Sequence, residues 1–181
     1  MPADLALLLH MHQPDYRHPT TGEPVMPWVR LHAVRGYTDV PTLALEQSAS
    51  FTMNVVPVLI DQLEAYAGGT TDRWERLSRI PAEALSLEDV KFLRERFFHG
   101  HPTMRQGSPR YRDLEQRRAG LSTSQELRDL QVWSNLAWMG VVARRHPQVR
   151  ALIAQDRDYS HDQLIALMNL QHELVTKVLP L

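Results

Sequence analysis

Apolar residues run without a break from Leu5 to Leu9 and then give way to His10-Met11-His12-Gln13-Pro14. An unbroken apolar run of that length reads as a strand buried on both faces, the pattern of parallel sheets covered by helices. Side chains alternate along a strand, so His10 and His12 should point to one side near its carboxyl end. In parallel barrels that end carries the chemistry. Pro14 cannot donate to a sheet ladder, so the strand stops and a loop opens just past the histidines.

That loop, Asp15 to Pro27, holds Pro19, Gly22, Pro24 and Pro27, a density of turn formers usual at binding segments. A helix is expected from about Trp28, with Leu31, Val34 and Tyr37 on one face and a break or kink at Pro41. Ser50 to Val56 alternates Phe51, Met53 and Val55 against Thr52, Asn54 and Val56, which predicts a second strand. Pro57 suits the first position of a helix that runs through Leu59, Leu63 and Tyr66 to a stop at Gly68-Gly69.

From Thr70 onward the pattern is helical. Ser86-Leu87-Glu88-Asp89 resembles a capped start, and Thr123 with Glu126 forms a capping-box pattern for a long helix reaching Arg145. Gly100 to about Arg112 reads as irregular, and Ser160 with Gln163 caps a last helix striped by Leu164, Leu167, Met168, Leu174 and Val178. Residues 1–69 thus read strand-helix-strand-helix, and residues 70–181 read as helices. Two parallel strands make a poor sheet alone, so the helical stretch looks like an insertion into a larger sheet or barrel.

Composition narrows the chemistry. A chain of 181 residues with 43% hydrophobic content can build a real core. Its net charge of −1 offers no electrostatic case for nucleic acid or an anionic membrane as main partner. The absence of cysteine removes disulfide and thiolate chemistry. Asp4 stands where a signal peptide would carry basic residues, and the apolar run is too short to span a bilayer, so the cytoplasm is the expected compartment.

The segment His10-Met11-His12-Gln13-Pro14 resembles the first signature of glycoside hydrolase family 57. Met26-Pro27-Trp28-Val29-Arg30-Leu31-His32-Ala33, Asn54-Val55-Val56-Pro57 and Asp61-Gln62-Leu63-Glu64 agree in order and spacing. Asp129-Leu130-Gln131-Val132-Trp133 and Asn135-Leu136-Ala137-Trp138 are similar to the subgroup labelled alpha-amylase or alpha-mannosidase. The resemblance covers essentially the whole chain. It implies an α/β fold, here a partial (β/α)7 barrel of about two parallel strands with a large helical insertion, helix-rich overall. It also implies a retaining mechanism on α-glucans, by a glutamate nucleophile and an aspartate acid/base on later strands. Such a mechanism needs two carboxyls about 5 Å apart. The match stops at Leu179-Pro180-Leu181, before those signatures, so no catalytic residue is expected among these 181 residues.

Under that resemblance His10, His12, Gln13 and Trp28 become substrate-binding residues for an α-glucan or oligosaccharide. The histidines would hold sugar hydroxyls, Gln13 a hydroxyl or backbone, and Trp28 a pyranose face. Other readings stand beside these. The histidines also fit as satisfied core residues, or as the start of a metal-dependent hydrolase that would draw further ligands from later strands. Trp28 also fits as an anchor for its helix, and Arg30 and His32 as a helix-surface salt bridge. Trp133 and Trp138 read as core, His99-Gly100-His101 as a flexible loop, and Asp61 with Glu64 as a solvated face. No cofactor and no metal are expected, since two histidines supply too few ligands and the chain has no cysteine. The expected partners are a missing C-terminal part of the barrel or a second copy. The alternatives are a non-catalytic helical module that binds carbohydrate or a protein, and the metal-dependent hydrolase.

Overall fold

Period-two alternation places Leu9 and Met11 on one side of β1 (Leu8–Met11) and Leu8 and His10 on the other. β1 pairs in parallel with β2 (Thr52–Val55), in the register Leu8 to Thr52 through Met11 to Val55. The computed structural model of the chain describes residues 6–178, with the backbone alone for residues 104–106. Asp4 and Leu5, at the start of the apolar run, and Leu179-Pro180-Leu181 lie outside the described residues.

The parallel pair needs a crossover, which α1 (Trp28–His32), a π-helical segment (Ala33–Tyr37) and α2 (Thr38–Glu46) supply. Pro41 sits inside α2 and does not end it. Of the expected break or kink at Pro41 there is no break; a wider π turn directly before α2, closed by the Thr38 hydroxyl donating to the Ala33 carbonyl at 2.6 Å, carries the local irregularity. α3 (Pro57–Ala67) follows β2 with Pro57 in its first turn, and closes at Gly68. The helix-facing side of the sheet rests here: Met11 is buried with Leu59, Leu63, Val34 and Tyr37, and Met53 packs on them.

The remainder is helical. α4 (Arg73–Arg79) starts at Asp72, whose side chain accepts from the Glu75 amide. α5 (Leu87–Arg96), α8 (Ser124–Leu136) and α10 (His161–Thr176) each open on a complete capping box, at Ser86/Asp89, Thr123/Glu126 and Ser160/Gln163. The segment read as irregular folds into α6 (Pro102–Gly107) and α7 (Pro109–Gln116), with Ser108 accepting from the Tyr111 amide between them. Pro102 and Pro109 open helices here, as proline does at a first turn. α8 stops at Leu136, short of the expected Arg145, and α9 (Pro147–Gln155) precedes α10. Leu93, Phe97, Tyr111, Leu130, Trp133 and Leu164 belong to one large core built from these helices. Burying each such side chain is worth about 1.5–3 kcal/mol. α10 packs against α3, α4 and α8, with Leu164, Leu167 and Met168 in the large core and Val175 in the sheet-side core.

The exposure of the strand pair carries a correction. The run was expected to be buried on both sides, but Leu7, Leu8 and Leu9 are 52%, 54% and 36% exposed and Val55 is 36% exposed. The exposed residues fall on both sides: Leu8 lies with His10 on the open face, whereas Leu7, Leu9 and Val55 share the side of Met11, of which the helices bury Met11 itself, and no further strand among the described residues pairs with either edge. The chain is therefore helix-rich, with one parallel strand pair.

Candidate functional site

The carboxyl end of β1 brings His10 and Asn54 together. They are register partners, and the Asn54 side-chain amide lies 3.3 Å from His10 Nδ1. That contact engages Nδ1 and leaves Nε2 for a ligand. Both residues are exposed, on the sheet face turned away from α3. His12 is exposed too, just beyond the strand, with the parity of His10, while Met11 between them is buried. His10 thus lies on an open sheet face rather than in a closed strand, and His12 is exposed past its end.

Gln13 follows, half-buried, its Oε1 accepting from the Tyr16 hydroxyl at 2.9 Å. It also lies beside Tyr37, whose hydroxyl is pushed up mainly by burial. Gln62, buried on α3, fixes this turn. Its Oε1 accepts from the Tyr16 amide at 3.0 Å and its Nε2 donates to the Pro14 carbonyl at 3.1 Å. Sequence reading placed Gln62 inside a similarity motif and gave it no role. Its neighbours Asp61 and Glu64 are exposed, as a solvated face should be.

Asp15 is the acid nearest these histidines along the chain, and its chemistry is already committed. Its carboxylate accepts from Arg17 Nε and Nη2, both at 2.8 Å, and from the Arg17 amide at 3.0 Å. Those bonds hold Asp15 at about 2, well below the usual carboxylate range, so it stays ionised and cannot act as a general acid near neutral pH. The loop beyond it is a tight excursion, closed by a bridge between Arg17 and Pro24 and by His18 donating to the Glu23 carbonyl. Gly22 supplies the positive φ of 72° at its tip.

Trp28 packs into an aromatic group. Its ring meets His99 edge-on at 5.8 Å and Trp138 at 5.8 Å. His32 and His101 also pack against Trp138, at 5.4 and 6.5 Å between ring centroids. Trp28 therefore anchors α1 to the 99–101 segment and to the turn after α8, and it remains half-buried. Trp138 is buried, as expected for a core residue, but in the sheet-side core. His99-Gly100-His101 is not a free loop: Gly100 sits so close to α7 and α8 that a Cβ would fall 2.7 Å from Ala137 Cβ and 2.8 Å from Tyr111 Cε1. Nothing in the spacing of residues 28, 32, 101 and 138 could have joined them, because their approach is purely tertiary.

Arg30 overturns a second expectation. It is 3% exposed rather than a helix-surface cation, bound to Asp72 and to Gln171 on α10. Among the described residues no group of three or more His, Asp or Glu side chains gathers to hold a metal ion, and no helix is long and apolar enough to cross a membrane. No protein-family model, curated protein or solved structure matches this chain.

Proposed function

We propose that this chain binds α-glucan or oligosaccharide through His10, His12 and Gln13 as the opening strands of a barrel of the glycoside hydrolase family 57 type. The observation that carries the reading is the His10–Asn54 pair, set at the carboxyl end of a parallel strand pair on the one sheet face that no helix covers. In barrel enzymes ligands meet the carboxyl ends of the strands. Imidazole, amide and phenol groups in that position offer single hydrogen bonds, the chemistry that sugar hydroxyls require. The exposed Leu7, Leu8, Leu9 and Val55 give the remaining strands a surface to cover.

The reading separates binding from cleavage. Glycoside hydrolysis needs one carboxyl as nucleophile or base and one as acid. Asp15 is tied to Arg17, and no other acid accompanies the His10–Asn54 pair on its strands. The strands described here supply hydroxyl contacts, and the carboxyl pair would come from strands of a partner segment that completes the barrel.

Titration of the labelled chain with maltooligosaccharides tests this directly. Shifts confined to His10, His12, Gln13 and Asn54 support it, together with no release of reducing sugar above background. Absence of any shift there removes the carbohydrate reading. Saturable zinc binding lost in both His10→Ala and His12→Ala would favour a metal-dependent hydrolase instead.

A further inference from the structure

A second polar group gathers beside Tyr37, and the sugar reading does not use it. His32 and Arg35 are three residues apart on the helical stretch that includes the π segment, so they project from neighbouring positions. His32 packs on Tyr37 at 6.0 Å and on Trp138 at 5.4 Å. His101 packs on the same Trp138 ring, held there by its own amide donating to the Ala137 carbonyl at 3.3 Å. Arg144 arrives from the turn after α8 through Nε, which donates to the Gly140 carbonyl at 3.3 Å. Gly140 in turn donates to the Val34 carbonyl at 3.1 Å, which staples that turn to the helix bearing Arg35.

Two guanidiniums and two imidazoles thus gather from three distant stretches of a chain whose net charge is −1. The acid Asp39 acts on Arg35. Both of its oxygens already accept backbone amides, from Val141 at 2.7 Å and Val142 at 2.9 Å. Arg35 Nη1 is buried and has no hydrogen-bond partner. His101 Nδ1 is engaged with Thr103 Oγ1 at 2.9 Å, which leaves Nε2 for another group. Burial and the facing arginines hold both imidazoles below the ordinary histidine range: Arg35 acts on each, and Arg144 on His101. Bringing like charges together and leaving a buried donor unpaired both oppose folding, and such costs concentrate where a ligand repays them.

We propose that His32, Arg35 and His101, with Arg144 beside them, hold a phosphate group, either free or carried on a sugar. A guanidinium matches phosphate oxygens in planar, bidentate geometry. An arriving anion would pair with Arg35 and draw protons onto His32 and His101. The sugar half of this proposal rests on the carbohydrate reading above, whereas the anion half does not.

Proton NMR of the histidine rings, as a pH titration of the full chain with and without inorganic phosphate, tests the anion half. Phosphate is expected to raise the titration midpoints of His32 and His101 saturably while leaving those of His10 and His12 in place. Arg35→Met should abolish the shift, and Arg118→Met, at an exposed arginine elsewhere, should retain it. If Arg35→Met proves unfolded by circular dichroism, His101→Gln replaces it and should weaken phosphate binding about ten-fold or more. No phosphate-dependent shift at either histidine, or an undiminished shift in folded Arg35→Met or in His101→Gln, overturns the site. Glucose 6-phosphate, glucose and phosphate are then compared. About ten-fold tighter binding of the sugar phosphate than of phosphate supports the sugar half. Equal affinity overturns that half while leaving the anion site standing, and it is separable from failure of maltooligosaccharide binding at His10.

Discussion

Arg30 on α1 donates through Nε to Asp72 Oδ2 at 2.7 Å and through Nη2 to Oδ1 at 3.2 Å, with both side chains sealed from solvent. Asp72 is also the N-cap of α4, accepting from the Glu75 amide at 2.8 Å and from the Tyr66 hydroxyl at 3.2 Å. Gln171 on α10 completes the guanidinium's shell at 2.9 Å. One ion pair therefore ties the sheet-side helices to the helical region, and its worth depends on every lone pair being used.

Removing one partner should cost far more than removing both. Arg30→Met leaves a buried carboxylate uncompensated and is expected to destabilise the fold by about 3–5 kcal/mol. The double variant Arg30→Met/Asp72→Asn should recover part of that loss, read from urea denaturation midpoints. Equal stability of the wild type and Arg30→Met would show that this pair does not organise the fold.

Asp39 and Gly140 give a sharper geometric test. A Cβ on Gly140 would fall 2.4 Å from Asp39 Oδ2, so Gly140→Ala must displace the carboxylate from the Val141 and Val142 amides. The expected loss is about 1–3 kcal/mol from overpacking. Asp39→Ala alone should cost about 1 kcal/mol as a lost cap. In the double variant the clash is gone, so thermal denaturation should show a total well below the sum of the two. Strict additivity would contradict the close approach.

Stability should fall on mild acidification because of His32 and His101. Both are held below the ordinary histidine value in the folded chain, by burial first and then by neighbouring cations. The unfolded chain therefore binds more protons as pH drops through about 6.5. Their contribution is fully present above that pH and is lost progressively toward the lower folded values. His32→Gln should flatten the decline in denaturation free energy between about pH 7 and 5. The carboxylates of Asp113 and Glu126, each held at about 2 by Arg117, act only at lower pH, so the two effects separate. An unchanged slope in His32→Gln would place the acid sensitivity elsewhere.

The uncovered sheet face should make the chain self-associate or capture a partner segment. Leu8, on the face of His10, is 54% exposed, and among the described residues neither strand edge is paired. Leu8→Lys puts a charge on that face and should shift sedimentation profiles toward monomer. A wild type that stays monomeric at high concentration would argue against a missing layer.

Catalytic competence offers the last test. The isolated chain should release no sugar from maltooligosaccharides above background, and Asp15→Asn should change nothing, because Asp15 is spent on Arg17. His10→Ala and Asn54→Ala should each weaken oligosaccharide binding about ten-fold without altering the fold, since both side chains are exposed. Robust turnover abolished by Asp15→Asn would require a different active site.

The sequence by itself determined the features whose bonds close within a few residues. The capping boxes at Ser86/Asp89, Thr123/Glu126 and Ser160/Gln163, the Pro57 start of α3 and the opposite parity of His10 and Met11 are all of this kind. Tertiary structure decided the rest. α8 ends at Leu136 because Asp39, from another helix, captures the Val141 and Val142 amides while Gly140 bonds Val34. Arg30 looked like a surface residue because its partner lies 42 positions away, and His32, His101 and Trp138 meet only through folding. The apolar run of β1 specified a strand but could not say what covers it. Burial belongs to whichever layer packs on a face, and that layer is a matter of assembly rather than of local pattern.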